Sequence, residues 1–277
     1  MPDTQLRVAL FSGNYNYVRD GANQALNRLV GYLLRSGAAV RIYSPTVESP
    51  AFPPTGDLVS VPSFPFPGGR GEYRMALGMR GATKRDLAAF SPNIVHVSAP
   101  DFLGHSAVAY ARKRNIPVVA SMHTRFETYP RYYGLAFMEP VIEAILRRFY
   151  RRCDAVVAPS ESMAQVLREQ RMSYNIGIWT RGIDREIFNP GRRDMDWRQS
   201  VGLDPELPVI GFLGRLVMEK GLDVFSDAVD TLRQRQIRHS VLIVGEGPAR
   251  DWLQDRLPNA VFTGFQGGHD LGRAVAS

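Results

Sequence analysis

The sequence predicts an α/β protein built from two parallel, doubly wound units, and three observations carry that expectation. Short apolar runs rich in β-branched residues alternate with longer runs whose apolar residues recur at helical spacing. The alternation breaks once, at 187–208, where prolines, glycines and charges crowd together, and then restarts. At 277 residues, 44% of them hydrophobic, the chain carries more core material than one hydrophobic core usually holds.

The elements follow in order. "LRVALF" (6–11) is strand-length and is stopped by Ser12 and Gly13; "GANQALNRLVGYLLRSG" then reads as a helix beginning near Gly21. "AAVRIYS" (38–44) is the second strand. The proline-rich piece 47–74 contains Phe52, Phe64 and Phe66, which need somewhere to pack, so an ordered excursion over the sheet edge is expected there rather than disorder. "NIVHVS" (93–98), "PVVASMH" (117–123), "DAVVAP" (154–159) and "YNIGIWT" (174–180) are further strands. Between them "FLGHSAVAYARKRN", "EPVIEAILRRFYRR" and "SESMAQVLREQRM" are helical, the last opened by Ser160 as an N-cap without a capping box. Strand and helix in strict alternation mean a parallel sheet. After the break come "PVIGFLG" (208–214), the helix "GLDVFSDAVDTLRQRQ", "HSVLIVG" (239–245), the helix "PARDWLQDRL" and "NAVFTGF" (259–265), half of a six-stranded arrangement. The expected division is therefore 1–190, a linker at 191–207, and 208–277.

Composition narrows the function classes. A single cysteine, Cys153, leaves no intramolecular disulfide and no cysteine-based zinc site. The first residues lack a basic head followed by a long apolar run, and no stretch approaches the ~20 apolar residues of a membrane-spanning helix. A cytoplasmic protein is the expectation. The net charge of +7 is uneven: 23 Lys and Arg face 15 Asp and Glu up to Pro190, against 11 and 12 beyond it. Such a basic first part suits phosphorylated ligands or an anionic membrane surface, or is simply a solvated arginine-rich face. Nucleic acid is the weakest option, because no zinc-finger spacing, RNP-type strand or basic coiled coil occurs.

Ligands of doubly wound sheets bind beyond the carboxyl ends of the strands. Residues just past those ends are the candidates, facing what the two units would make a common cleft. After the first strand, Gly13 and Gly21 allow close backbone approach, with Asp20 beside them. His123 and Tyr129 follow the fourth long strand of the first unit; taken alone, such a histidine is more often structural than catalytic. In "GFLGRLVMEKGLD" the second unit's first strand runs into Gly214, Arg215 and Lys220. A planar guanidinium, a compact ammonium and a helix N-terminus together suit a diphosphate, although the Walker order is absent and two ordinary surface cations are the plain alternative. Gly245 and Gly247 form a further turn after the next strand, but Arg250 stands where a Gly-x-Gly-x-x-Gly fingerprint needs its last glycine.

Taken together and in order, "GNYNYVRDGANQALNRLVGYLLRSGAAVRIYSP", "PNIVHVSAPDFLG", "PVVASMHTRFETYPRYYG", "DAVVAPSESMAQVLRE", "RGIDREIFNPGRR", "GFLGRLVMEKGLD", "LIVGEGP" and "FTGF" resemble the retaining glycosyltransferases of family 4, of the GT-B fold. The likeness is greatest to the enzymes that move mannose or sulfoquinovose onto lipid acceptors. It implies a hexosyltransferase, a mannosyltransferase among the possibilities, acting on a hydroxyl acceptor. The donor would be a GDP- or UDP-sugar, bound as substrate, with no cofactor and no metal. By the same resemblance Arg215 and Lys220 hold the donor diphosphate and His123 stands beside the transferred sugar. Gly13, Gly214, Gly245 and Gly247 line the donor, and Asp20, Gly21 and Tyr129 face the acceptor. The expected partners are a nucleotide-sugar, a lipid acceptor and an anionic membrane surface, the last placing the protein peripherally on the inner membrane face.

The family's Glu-x7-Glu motif would fall downstream of Ser277, so the expectation from sequence is a chain truncated in its second unit. The competing reading is a truncated, non-catalytic protein that binds a phosphorylated ligand or a membrane. An epimerase or dehydrogenase would need a dinucleotide fingerprint that "FSGNYNYVRDG" does not supply.

Overall fold

A computed structural model describes residues 5–65, 73–128 and 135–277. The chain divides into two compact units, Met1–Gly182 and Ile183–Ser277.

In the first unit β1 (Arg7–Phe11), β2 (Ala39–Ser44) and β3 (Asp57–Ser60) are laid down outward from the middle of the sheet. The chain then crosses back through the hairpin β4 (Ser63–Pro65) and β5 (Arg74–Ala76). It continues outward on the other side of β1 with β6 (Ile94–Val97), β7 (Val118–Ser121), β8 (Ala155–Ala158) and β9 (Ile176–Ile178). The order is β3-β2-β1-β6-β7-β8-β9, every pairing parallel. Strand order therefore reverses between β1 and β6, the place where open α/β sheets bind ligands. The strand periodicity of two builds both cores. In β1, Val8 and Leu10 pack with Leu26, Val30 and Ile42 on one face, while Ala9 and Phe11 pack with Val97, Leu103 and Phe149 on the other.

The covering helices are α1 (Gly21–Arg35), α2 (Gly81–Phe90), α3 (Phe102–Arg112), α4 (Glu139–Tyr150) and α5 (Glu161–Glu169). Ser160 caps α5 by accepting from the Met163 N–H. β3 extends the parallel sheet at the edge where the sequence suggests an ordered excursion. Of the phenylalanines there, Phe52 lies under the Arg19 guanidinium, Phe64 is exposed and Phe66 is outside the described residues. Neither β3 nor α2 is evident in the sequence, because their apolar residues are few and lie beside prolines or charges.

The second unit has a three-stranded parallel sheet of β10 (Val209–Leu213), β11 (Ser240–Val244) and β12 (Val261–Gly264). Its helices are α6 (Met195–Ser200), α7 (Leu222–Gln234), α8 (Arg250–Arg256) and α9 (Gly268–Ala276). One face of the sheet buries Leu216, Leu222, Val229, Ile243, Leu253 and Leu257; the other packs Leu203, Leu242, Val244 and Ala274 together. Residues 183–207, divided by the sequence reading between the first domain and a linker, belong to this second unit. Asp194 caps α6 through the Trp197 N–H, and Leu203 is part of the core. Arg198 is buried and donates to the carbonyls of Asp204, Leu207 and Ser277. The charges that suggest a solvated linker thus include one whose hydrogen-bond partners are main-chain oxygens inside the fold.

Candidate functional site

At the reversal point of the first unit, the loop after β1 meets the start of α3. Gly13 is a case of close approach, since a Cβ there would lie 2.6 Å from Asp101 Oδ2. Asp101 caps α3, its Oδ1 accepting from the Gly104 N–H at 2.7 Å. Burial pushes its carboxyl up to about 6, against the pull of neighbouring main-chain N–H groups. The sequence reading passes over this residue, although it follows a strand end in "SAPDFLG".

Asp20, assigned by resemblance to the acceptor side, is engaged within the protein. Its Oδ1 accepts from the Asn23 N–H at 2.8 Å, and its Oδ2 accepts from Asn14 Nδ2 at 2.9 Å. With Asn23 Oδ1 accepting from the Asp20 N–H at 3.1 Å, the two form a reciprocal cap on α1. Gly21, the first residue of α1, is exposed, with open space where its Cβ would stand.

His123 lies just past β7 and is tied to three other side chains. Arg181 Nη2 stands 3.1 Å from His123 Nδ1, His123 Nε2 is 2.8 Å from Ser121 Oγ, and Ser121 Oγ is 2.9 Å from Nε2 of buried His96. The ring of Trp179 meets both imidazoles edge-on. Burial depresses both histidines, His96 to about 4 and His123 to about 3, with the Arg181 charge adding to the effect on His123. Both rings are therefore neutral near pH 7. Arg181 has φ of +69° and is followed by Gly182 at +68°. For a non-glycine residue that conformation costs about 1–2 kcal/mol, so tertiary contacts must hold it there. The sequence reading misses His96, Ser121 and Arg181, because only the strand order brings them to His123. Tyr129 lies outside the described residues.

In the second unit the three strand-end loops are laced together. The Gly214 N–H donates to Val244, the Leu216 N–H to Glu246 and the Gly245 N–H to Gly264. Gly245 and Gly247 permit this closeness: a Cβ on Gly245 would meet Gly214 O at 1.9 Å, and one on Gly247 would meet Leu216 O at 2.3 Å. Their backbones support the loop that carries Arg215. Leu216 is fully buried and anchors that loop while Arg215 beside it is exposed. Lys220 is exposed too, one residue before Gly221, the N-cap of α7. No side chain caps that helix. Among the described residues neither Arg215 nor Lys220 makes a side-chain ion pair or hydrogen bond. Two such cations beside open helix N–H groups can hold an anion with several oxygens.

Residues 19–187 match the family model described as Glycosyltransferase Family 4, and residues 207–277 match one described as Glycosyl transferases group 1. A GDP-mannose-dependent alpha-mannosyltransferase of Mycolicibacterium smegmatis is 31% identical over 98% of this chain and 72% of its own length. The enzyme of the same description from Corynebacterium glutamicum is 31% identical over 69% of this chain, which spans 45% of that relative. A sulfoquinovosyl transferase of Arabidopsis thaliana is 27% identical over 98% of this chain and 53% of its own length. Among solved structures, sucrose-phosphate synthase from Thermosynechococcus elongatus superposes with a TM-score of 0.67 at 15% identity, covering 98% of this chain and 73% of that one. The two units are of the Rossmann-like kind found in GT-B folds.

Proposed function

Because the chain belongs to glycosyltransferase family 4, we propose that it transfers a sugar from a nucleoside diphosphate to a hydroxyl acceptor with retention at the anomeric carbon. The observation that carries the reading is the pair Arg215 and Lys220, exposed and without anionic partners among the described residues, beside the uncapped start of α7. When the bond between the anomeric carbon and the diphosphate oxygen breaks, negative charge grows on the departing diphosphate. Fixed cations stabilise it most where it is greatest. A phosphate oxygen of the leaving group takes the acceptor proton as the new glycosidic bond forms on the same face. Asp101 and His123 stand at strand ends of the first unit, on the sugar and acceptor side in this reading.

GDP-mannose is the first donor to test, since two of the relatives are described as dependent on it. A lipid acceptor is supported by α4 and the turn before it. Phe137, Val141 and Ile145 are exposed along one helical face, which continues into exposed Arg148, while Leu146, Phe149 and Tyr150 go into the core. An apolar face ending in arginines suits the boundary of an anionic bilayer.

The experiment is a transfer assay on Arg215→Ala and Lys220→Ala. Each should lower turnover ~10²-fold or more with an unchanged melting temperature. Full turnover in both variants would remove the pair from the reaction.

A further inference from the structure

We infer that Arg181 is a positioning residue for His123: it locks the imidazole as the Nε2–H tautomer through a one-way chain of hydrogen bonds that ends on His96. The direction of the chain follows from its first member. A guanidinium has N–H donors and no acceptor, so the nitrogen it meets, His123 Nδ1 at 3.1 Å, must offer a lone pair. A neutral imidazole with a bare Nδ1 carries its proton on Nε2. That proton points to Ser121 Oγ at 2.8 Å. The serine hydroxyl, now accepting, donates its own proton onward to His96 Nε2 at 2.9 Å, which places the His96 proton on Nδ1. Three otherwise ambiguous groups are thus set by one charged donor reaching across 58 residues.

The consequence concerns the reaction. With both ring nitrogens of His123 engaged inside the protein, the imidazole presents a fixed neutral wall and is not a proton carrier. A proton on Nδ1 would set two donors against each other at the Arg181 contact, and the Trp179 ring packs edge-to-face against both imidazoles. Among the described residues the charged or titratable groups that act on His123 are Arg181 and His96, and neither favours an imidazolium. The left-handed backbone of Arg181 turns its guanidinium from the end of β9 onto the end of β7.

The tautomer assignment stands on the first unit alone, while its bearing on catalysis rests on the reading of His123 as a residue of the transfer site. Multiple-bond 1H–15N spectra of the 15N-histidine-labelled chain test it directly, with the five histidines assigned through His123→Gln and His96→Gln. His123 should show a single Nε2–H pattern and His96 a single Nδ1–H pattern, unchanged from pH 8 to pH 5. Arg181→Gln should leave His123 a mixture of tautomers that titrates within that range, and Arg181→Lys, which keeps a cationic donor, should restore much of the wild-type pattern. An Nδ1–H pattern or ordinary titration of His123 in the wild-type spectrum overturns the inference even if neither Arg181 variant folds. So does an Arg181→Gln spectrum identical to wild type. In transfer assays, Arg181→Gln should add an acidic limb to the pH profile that Arg181→Lys lacks. If the spectra are as expected while His123→Ala is fully active, it is the catalytic reading that fails and the positioning role that stands.

Discussion

His96, His123 and Asp101 make the stability of the first unit depend on pH, and the signs differ. A histidine held neutral in the fold binds fewer protons than in the unfolded chain below its ordinary value of 6.5. The two depressed histidines therefore contribute stability above 6.5 that is lost as pH falls towards 4. Asp101, raised to about 6, works the other way between its ordinary value near 4 and 6. At pH 5 the histidines leave about two more protons on the unfolded chain and Asp101 about one more on the fold. The net of about one proton costs about 1.4 kcal/mol per pH unit of acidification. Denaturant titrations at pH 6.5 and 5 should show that fall, with a shallower one in His96→Gln; equal stability at the two values would contradict it. At this scale the sequence is legible where chemistry sits next to a strand end. Arg215 and Lys220 are two cations directly after an apolar run, and they are exposed in the fold as a ligand requires. The partnership of His123 with Arg181 is not legible, because it depends on β7, β8 and β9 lying side by side.

Caps decide what several site candidates do at the scale of the element. Asp20 in "YNYVRDGAN" is expected from the resemblance to face the acceptor, whereas in the fold its Oδ1 caps α1 and its Oδ2 accepts from Asn14 of the preceding loop. Replacing Asp20 with Ala should cost about 1 kcal/mol in thermal or denaturant unfolding, while Asp20→Asn, which keeps an acceptor, should cost a few tenths. Equal losses from both would assign the effect to charge rather than to capping. α7 shows the opposite design: its N-cap is Gly221, which leaves the first-turn N–H groups without a side-chain partner, on the element that follows both cations. The long helices and the strands around them are readable from period alone, since 3.6-residue and two-residue patterns differ plainly over such lengths. β3 and α6 are hidden, the first among prolines and the second among charges, because neither period can be established over four to six residues.

For the whole molecule, net charge and surface composition bear on where the chain works. The residues up to Pro190 carry the surplus of arginine and lysine, and α4 adds an exposed apolar face to it. No helix among the described residues is long and apolar enough to cross a membrane, so any bilayer contact through those helices would be peripheral. Sedimentation with vesicles should show binding that rises with anionic lipid, falls with salt and weakens in a Phe137→Ser, Ile145→Ser double variant. Indifference to lipid charge and to the double variant would separate α4 from the acceptor. If Arg215 and Lys220 grip the diphosphate of a nucleotide donor, calorimetric titration of GDP, UDP and their mononucleotides will show it. A diphosphate should bind measurably tighter than its monophosphate, and Arg215→Ala with Lys220→Ala should erase that preference while leaving the melting temperature unchanged. Equal affinity for mono- and diphosphates in the wild-type chain, or a preference that survives loss of both cations, would mean that Arg215 and Lys220 do not hold the diphosphate.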